Sequence, residues 1–170
     1  MEFETKVLSR QIQEALYNYN ETLGTAESCT GGRIAEAIIS VPGASQYFKG
    51  GVVSYTNEVK ENLLHVSAQV LAEQTAVCEE VAREMVIGAC DALNCDYAIS
   101  ATGVAGGTAE IPVGTIWLGY GAKDDVRTFK LTEDFGRDIN LEIATNKVLR
   151  LFLEYVNAKH AENGSQEEEK

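Results

Sequence analysis

Hydrophobic residues recur along the chain at spacings that are typical of helices and strands in alternation. In the opening segment, a repeat of three to four residues predicts a helix whose apolar face is formed by Leu8, Ile12, Leu16 and Tyr19. A short strand is predicted at residues 23–27, and a turn of small residues at 28–32 joins it to a second helix. The chain therefore opens on a helix–strand–helix unit.

The alternation continues beyond this unit. The remaining predicted elements are a strand at 51–55, a helix capped by Asn57 that carries Val59, Leu63 and Leu64 on its core face, a helix at 81–93, a strand at 97–101, a hairpin of strands 113–120 and 126–131 around residues 123–125, and a last helix from Asp138 to Val156. This order predicts a single α/β domain, a three-layer α/β/α sandwich whose mixed sheet is parallel early and antiparallel late. The domain is predicted to span residues 1–158, and the acidic residues 159–170 are expected to be a disordered tail.

Composition and charge narrow the classes of function. A net charge of −12 argues against a nucleic-acid partner, because phosphate backbones are bound by Lys and Arg. An anionic substrate therefore needs a local basic pocket. No apolar run approaches the roughly 18 residues of a membrane span, and the first 20 residues lack the apolar core of a signal peptide. We expect a cytoplasmic protein without a membrane partner, and the sequence allows a homo-oligomer.

The cysteines and histidines give no sign of a metal site. No C-x-x-C pair occurs among the four cysteines, and only two histidines are present. We therefore expect no metal, no cofactor and four reduced thiols, as in an ordinary protein of the cytosol.

The sequence ESCTGG at residues 27–32 is the most informative motif. Glycines that follow a strand allow backbone N–H groups to converge on an anion, and the next helix N-terminus favours negative charge. The Ser28 hydroxyl can attack a carbonyl group there, with nearby N–H groups stabilising the oxyanion. The alternative is that Ser28 only caps the helix. Glu27 either meets a ribose hydroxyl or Lys60, or is exposed to solvent.

A serine nucleophile needs a base, and Lys60 is the better candidate because the two histidines leave few parts for a Ser-His-Asp triad. Burial beside core-facing residues would lower the pKa of Lys60 enough to leave a neutral amine. The alternative is an ordinary solvated lysine. Tyr55 can donate to the substrate carbonyl or orient Lys60, or it can be a half-buried structural residue.

Two further features point to ligand binding. The loop at residues 102–108 follows a strand end, where open α/β sheets usually place ligands, and it includes Thr102 and Gly103. The alternative is a simple turn. Arg137, at the start of the last helix, can clamp a phosphate through two hydrogen bonds, or it can be an exposed surface residue.

Four blocks of sequence, at residues 25–32, 50–60, 101–106 and 112–117, together resemble the CinA C-terminal domain family. The likeness covers nearly the whole chain up to the tail. It implies an α/β/α sandwich that hydrolyses the carboxamide of nicotinamide mononucleotide, giving nicotinic acid mononucleotide and ammonia without a metal. The resemblance implies Ser28 as the nucleophile, Lys60 as the base and Tyr55 in the pocket. The residues it places around the nucleotide are Thr30, Gly31, Thr102, Gly103 and Arg137.

The loop from Gly106 to Pro112 is shorter than in the family's common pattern. If this loop covers the substrate, its loss of length favours a second hypothesis, a non-catalytic module that binds or senses a nucleotide. A third hypothesis keeps the enzyme but makes Cys29 the nucleophile, since a helix N-terminus activates a thiolate. Side chains of adjacent residues seldom point in one direction, so Ser28 and Cys29 are not expected to share a role.

Overall fold

The computed structural model describes residues 3–108 and 110–168. The elements are α1 (Phe3–Tyr19), β1 (Leu23–Glu27), α2 (Arg33–Ile39), a 3-10 turn (Ala44–Gln46), β2 (Phe48–Val53), α3 (Asn57–Leu64), α4 (Ala68–Gln74), α5 (Glu79–Leu93), β3 (Tyr97–Gly103), β4 (Ile116–Ala122), β5 (Asp125–Leu131) and α6 (Arg137–Glu168).

The five strands form one mixed sheet in the order β2-β1-β3-β4-β5. β1 pairs in parallel with both β2 and β3, while β3, β4 and β5 pair antiparallel. The parallel strands are joined by helices, as crossover connections require, and β4 and β5 are joined by a tight turn at Lys123 and Asp124. The predicted fold class, with a sheet that is parallel early and antiparallel late, is confirmed.

Each face of the sheet carries its own apolar cluster. On one face, α1, α2 and α6 pack on the sheet through a cluster that includes Ile12, Ile34 and Phe152. On the other face, α3, α4 and α5 form a cluster around Leu64 and Met85. Successive residues of β3 alternate between the two clusters, as the pleat of a strand demands. β1, at the centre of the parallel part, is buried along its whole length.

The helix α3 differs from its prediction in a way that matters for the site. Thr56 caps it by accepting a hydrogen bond from the Val59 N–H at 3.4 Å, so Asn57 is the first helical residue and not the cap. The predicted core face is confirmed for Leu64, which is buried, but wrong for Leu63, whose side chain is 53% exposed. Lys60, one helical turn before Leu64, faces the interior beside it.

Some boundaries also differ. β2 begins at Phe48 and ends before Tyr55, and α4 was not predicted. The last helix runs to Glu168, through most of the segment expected to be a disordered tail. Contacts of His160 hold it there: the ring nitrogen lies 2.7 Å from a Glu21 carboxylate oxygen, and the ring stacks on Tyr19 at 3.5 Å between centroids. Residues 169 and 170 of that segment lie outside the described residues.

Within residues 3–108 and 110–168, no helix has the length and apolar character needed to cross a membrane.

Gly88 in α5 should not tolerate a side chain, although alanine normally stabilises a helix relative to glycine by up to about 1 kcal/mol. A Cβ at this position would overlap the backbone carbonyl of Leu64 at the end of α3. We expect Gly88→Ala to lower the free energy of unfolding by about 1–3 kcal/mol, as overpacking does. Gly164→Ala in α6, where a Cβ would meet nothing within 4 Å, is the matched control. Urea denaturation of both variants tests this, and equal stability of the two would contradict the predicted clash.

Candidate active site

The site lies where the three parallel strands end. Their backbone pairing continues beyond the strand ends, because the Ser28 N–H donates to Ala101 O at 2.9 Å and the Ser54 N–H donates to Glu27 O at 2.8 Å. Ser28 and Ser54 therefore occupy neighbouring positions at the carboxyl edge of the sheet. This edge is where open α/β folds hold their ligands.

The structure brings Ser28 and Lys60 into direct contact. The Lys60 Nζ lies 2.9 Å from the Ser28 Oγ and donates a hydrogen bond to the backbone carbonyl of Ser54 at 2.7 Å. Only 1% of the Lys60 side chain is exposed, so the alternative of an ordinary solvated lysine is wrong. Burial lowers the pKa of Lys60, because the charged form loses its hydration. A neutral amine in this position can accept the proton of the Ser28 hydroxyl.

Glu27 is buried, with 1% of its side chain exposed, which rules out the solvent-exposed alternative. Its carboxylate accepts hydrogen bonds from the N–H groups of Gly32 at 3.2 Å, Ile34 at 2.8 Å and Ala35 at 3.0 Å. These are N–H groups at the start of α2, which have no partner within the helix. The anion that the sequence predicts at this helix N-terminus is thus supplied by the protein itself.

The turn between β1 and α2 depends on its two glycines. Gly31 and Gly32 have φ angles of +59° and +107°, a region that favours glycine. The Gly31 N–H donates to Ser28 O at 3.1 Å and closes the turn. Gly32 is the residue that precedes α2, and the N–H groups at the start of the helix are bound by the Glu27 carboxylate and not by Ser28. The alternative that Ser28 is a helix cap is therefore wrong.

Thr30 and Thr102 are both buried, but their hydroxyl groups differ. The Thr102 hydroxyl donates to Ala76 O at 2.7 Å and so ties β3 to the segment that precedes α5. The Thr30 Oγ1 is buried and has no hydrogen-bond partner among the described residues. Gly103 has a packing role, since a Cβ there would come within 2.6 Å of the Ile116 Cα.

Arg137 is the first residue of α6 and is exposed. A Cβ at Gly106 would lie 2.9 Å from the Arg137 Cβ, so the loop after β3 and the start of α6 are in close contact. Asn140, which the sequence analysis did not single out, holds the two together by donating to Ala105 O at 2.9 Å and to Asp134 Oδ1 at 2.8 Å. Asn140 lies one turn into the helix, where an apolar residue would be expected. Hydrophobic periodicity does not detect a buried polar residue at such a position.

Tyr55 follows Ser54 directly and is 60% exposed, so it is not the half-buried structural residue of the alternative.

Cys29, in contrast to Tyr55, is buried. Its side chain is buried in the apolar cluster on the α1, α2 and α6 face of the sheet. Burial raises the pKa of the Cys29 thiol to about 12, and the nearby charges of Arg137 and Lys60 only partly oppose this. A thiol with this pKa is not an activated nucleophile.

In the part of the chain that the structure describes, no group of three or more His, Cys, Asp or Glu side chains is arranged to hold a metal ion.

A family model described as the CinA C-terminal domain matches residues 5–156. The chain belongs to this family. The solved structures of CinA-family proteins agree: a competence-damaged protein (CinA) superfamily protein of Klebsiella pneumoniae superposes with a TM-score of 0.86 at 29% identity, covering 91% of this chain and 98% of that one. The competence/damage inducible protein of Agrobacterium tumefaciens gives 0.86 at 31% identity, covering 92% and 98%.

Two sequence relatives of this CinA-family chain differ in length. A CinA-like protein of Cytophaga hutchinsonii is 39% identical over 152 residues, which are 88% of this chain but 36% of the relative. The nicotinamide-nucleotide amidohydrolase PncC of Escherichia coli is 44% identical over 120 residues, which are 69% of this chain and 73% of that protein. The chain thus spans about a third of the first CinA-like relatives and most of the amidohydrolase.

The burial of Cys29 can be tested by alkylation. At pH 8, iodoacetamide should modify Cys78, which is partly exposed, much faster than Cys29, because both burial and the raised pKa of Cys29 suppress its thiolate. Peptide mass spectrometry after timed quenching gives both rates in one sample. In urea the two rates should converge. Fast alkylation of Cys29 in the folded protein would contradict this and return the thiol to consideration.

Proposed function

We propose that this CinA-family chain hydrolyses the carboxamide of nicotinamide mononucleotide to nicotinic acid mononucleotide and ammonia. The observation that carries the proposal is the 2.9 Å contact between the Ser28 Oγ and the buried Lys60 Nζ. The similarity to the amidohydrolase of Escherichia coli supports the substrate, since 44% identity extends over 120 residues.

The proposed reaction has two stages. The Ser28 Oγ attacks the amide carbon while Lys60 takes the hydroxyl proton, and the backbone N–H groups of Cys29 and Thr30 stabilise the oxyanion, since those of Ser28 and Gly31 are bound within the fold. Collapse of the intermediate breaks the C–N bond, and ammonia leaves with the proton that Lys60 returns. Water then attacks the ester, again with its proton passing to Lys60, and Ser28 is released. The hydrogen bond to Ser54 O fixes the amine for all these transfers.

The charges around the site limit where the phosphate of the substrate can bind. The protein carries a net charge of −12, and Glu27 fills the N-terminus of α2. Arg137, beside the loop at residues 103–106, is the cation that we assign to the phosphate. The exposed ring of Tyr55 and the unpaired hydroxyl of Thr30 are proposed to contact the rest of the nucleotide, together with the backbone at Gly31, Thr102 and Gly103.

The short loop from Gly106 to Pro112 favours the second candidate, a module that binds a nucleotide without turnover. Two observations speak for the enzyme instead. The dyad contact is formed in the presence of this short loop, and burial lowers the pKa of Lys60 as a base requires. Activity of the purified chain separates the two candidates.

The decisive experiment incubates the protein with nicotinamide mononucleotide in the presence of EDTA and measures ammonia and nicotinic acid mononucleotide. We expect equal amounts of both products. Ser28→Ala and Lys60→Ala should each lower kcat by about 10³-fold or more, and the double variant should be hardly worse, because the two residues act as a unit. In the wild type, kcat should rise with pH as Lys60 loses its proton, and level off above a pKa that is lower than the ordinary 10.5.

Cys29→Ala is the matched control, since it removes the neighbouring side chain and should keep most of the activity. Binding of the nucleotide without product would support the non-catalytic module. Substantial turnover by folded Ser28→Ala would refute the serine mechanism.

Arg137→Ala tests the phosphate site. We expect KM for nicotinamide mononucleotide to rise by about tenfold or more with little change in kcat, because a remote charge contributes similarly in the ground and transition states. Activity on nicotinamide riboside, which lacks the phosphate, should not change. Arg150→Ala, an exposed arginine of the same helix, is the control. If both variants behave alike, Arg137 is an ordinary surface residue.

A further inference from the structure

Glu27 is the residue that joins the parts of the site to one another. Through its side chain it accepts hydrogen bonds from three N–H groups of the α2 N-terminus. Through its backbone carbonyl it accepts the N–H of Ser54, whose own carbonyl accepts the Lys60 Nζ. One residue therefore contacts both the segment that carries the nucleophile and the segment that holds the base.

The turn that presents Ser28 is tied down at both ends by this residue. Glu27 immediately precedes Ser28 in the chain, and its carboxylate binds Gly32, where the turn ends. Between these points the backbone has positive φ angles at Gly31 and Gly32, which residues other than glycine rarely adopt. Without the carboxylate, the N–H groups at the start of α2 would be buried without partners, and the turn would relax to satisfy them.

A carboxylate suits this place better than any other side chain. Two oxygens with two lone pairs each can accept three N–H groups at once, and the helix dipole favours negative charge beside its N-terminus. A glutamine has one acceptor oxygen, and its NH₂ group would face an N–H donor. An aspartate is one methylene shorter and cannot reach the same donors from β1.

We propose that Glu27 is a positioning residue, whose buried carboxylate fixes the turn at residues 28–32 so that the Ser28 hydroxyl faces Lys60 and the turn N–H groups face the oxyanion. The residue acts through Ser28 and not by touching substrate. The inference rests on the proposed function for its serine chemistry, but it does not depend on which amide is the substrate.

A fluorophosphonate probe tests the inference without a natural substrate. The Ser28 Oγ forms a bond to phosphorus, the P–F bond breaks, fluoride leaves, and the hydroxyl proton passes to Lys60. The rate of this step depends on the dyad geometry and on the oxyanion donors. Intact-mass spectrometry follows it by the added mass, and Ser28→Ala shows which labelling is specific.

Glu27→Gln should slow labelling by about 10²-fold, the range expected when oxyanion donors are displaced. With nicotinamide mononucleotide, kcat should fall by a similar factor while KM changes by less than about threefold, because the phosphate site is untouched. Glu36→Gln removes one negative charge from the exposed face of the same helix and should label at the wild-type rate. Leu16→Ala, a buried α1 residue remote from the turn, provides a variant whose unfolding temperature is lowered without loss of labelling.

The outcomes separate the two proposals. Slow labelling of Glu27→Gln together with normal labelling of Leu16→Ala supports the positioning role, even if the wild type does not act on nicotinamide mononucleotide. Labelling of folded Glu27→Gln at the wild-type rate overturns it, and so does an equal loss in Leu16→Ala at matched stability. A wild type that the probe does not label at Ser28 overturns both the positioning role and the serine mechanism.

Discussion

A lysine amine inside a protein needs polar partners, because an ammonium group without water is strongly destabilised. In this fold the Lys60 amine finds two, the Ser28 hydroxyl and the Ser54 carbonyl, at the carboxyl ends of neighbouring strands. Neither partner is a charged acid that would hold the proton in place. A neutral amine can donate an N–H to the Ser54 carbonyl and keep its lone pair for the Ser28 hydroxyl proton, and burial favours that neutral state. Packing of α3 on α5 keeps it there, since Gly88 allows the two backbones to meet.

The Glu27 carboxylate carries the negative charge of the site, and it lies on the side of the turn away from Lys60. The Glu27 carboxylate binds the N–H groups of α2, on the side of the sheet where α2 packs, and the hydrogen bonds that it accepts come from backbone and not from Lys60. A carboxylate in contact with Lys60 would raise the pKa of the amine and cancel the effect of burial. The same arrangement withdraws the helix N-terminus from ligand binding. An anionic substrate must then find its positive charge elsewhere, and the loop at 103–106 beside Arg137 is placed to supply it.

The sequence predicts the fold class and, apart from α4, the order of the helices and strands, because strand and helix periodicities are strong where both faces of a sheet are covered. It also predicted Ser28 and Lys60 as partners, although 32 positions separate them, since a serine nucleophile needs a base and few were available. The buried face of α3 is predicted correctly at Leu64 but wrongly at Leu63. Periodicity counts a lysine as a surface residue and so places Leu63 on that face, where the structure has Lys60. The roles of Glu27 and Asn140 depend on backbone N–H and C=O groups, which no pattern of side chains records.

The choice between serine and cysteine follows from the geometry of a single strand end. Adjacent residues at the end of β1 point to opposite faces of the sheet. The Ser28 hydroxyl points toward α3 and meets the Lys60 amine, whereas the Cys29 thiol enters the apolar cluster beneath α2 and α6. Burial there raises the pKa of the thiol to about 12, so that cysteine, the better nucleophile of the two as a free side chain, is not activated here. The Lys60 amine contacts the Ser28 hydroxyl on the α3 side of the sheet, and this placement is what favours serine as the nucleophile in the proposed mechanism.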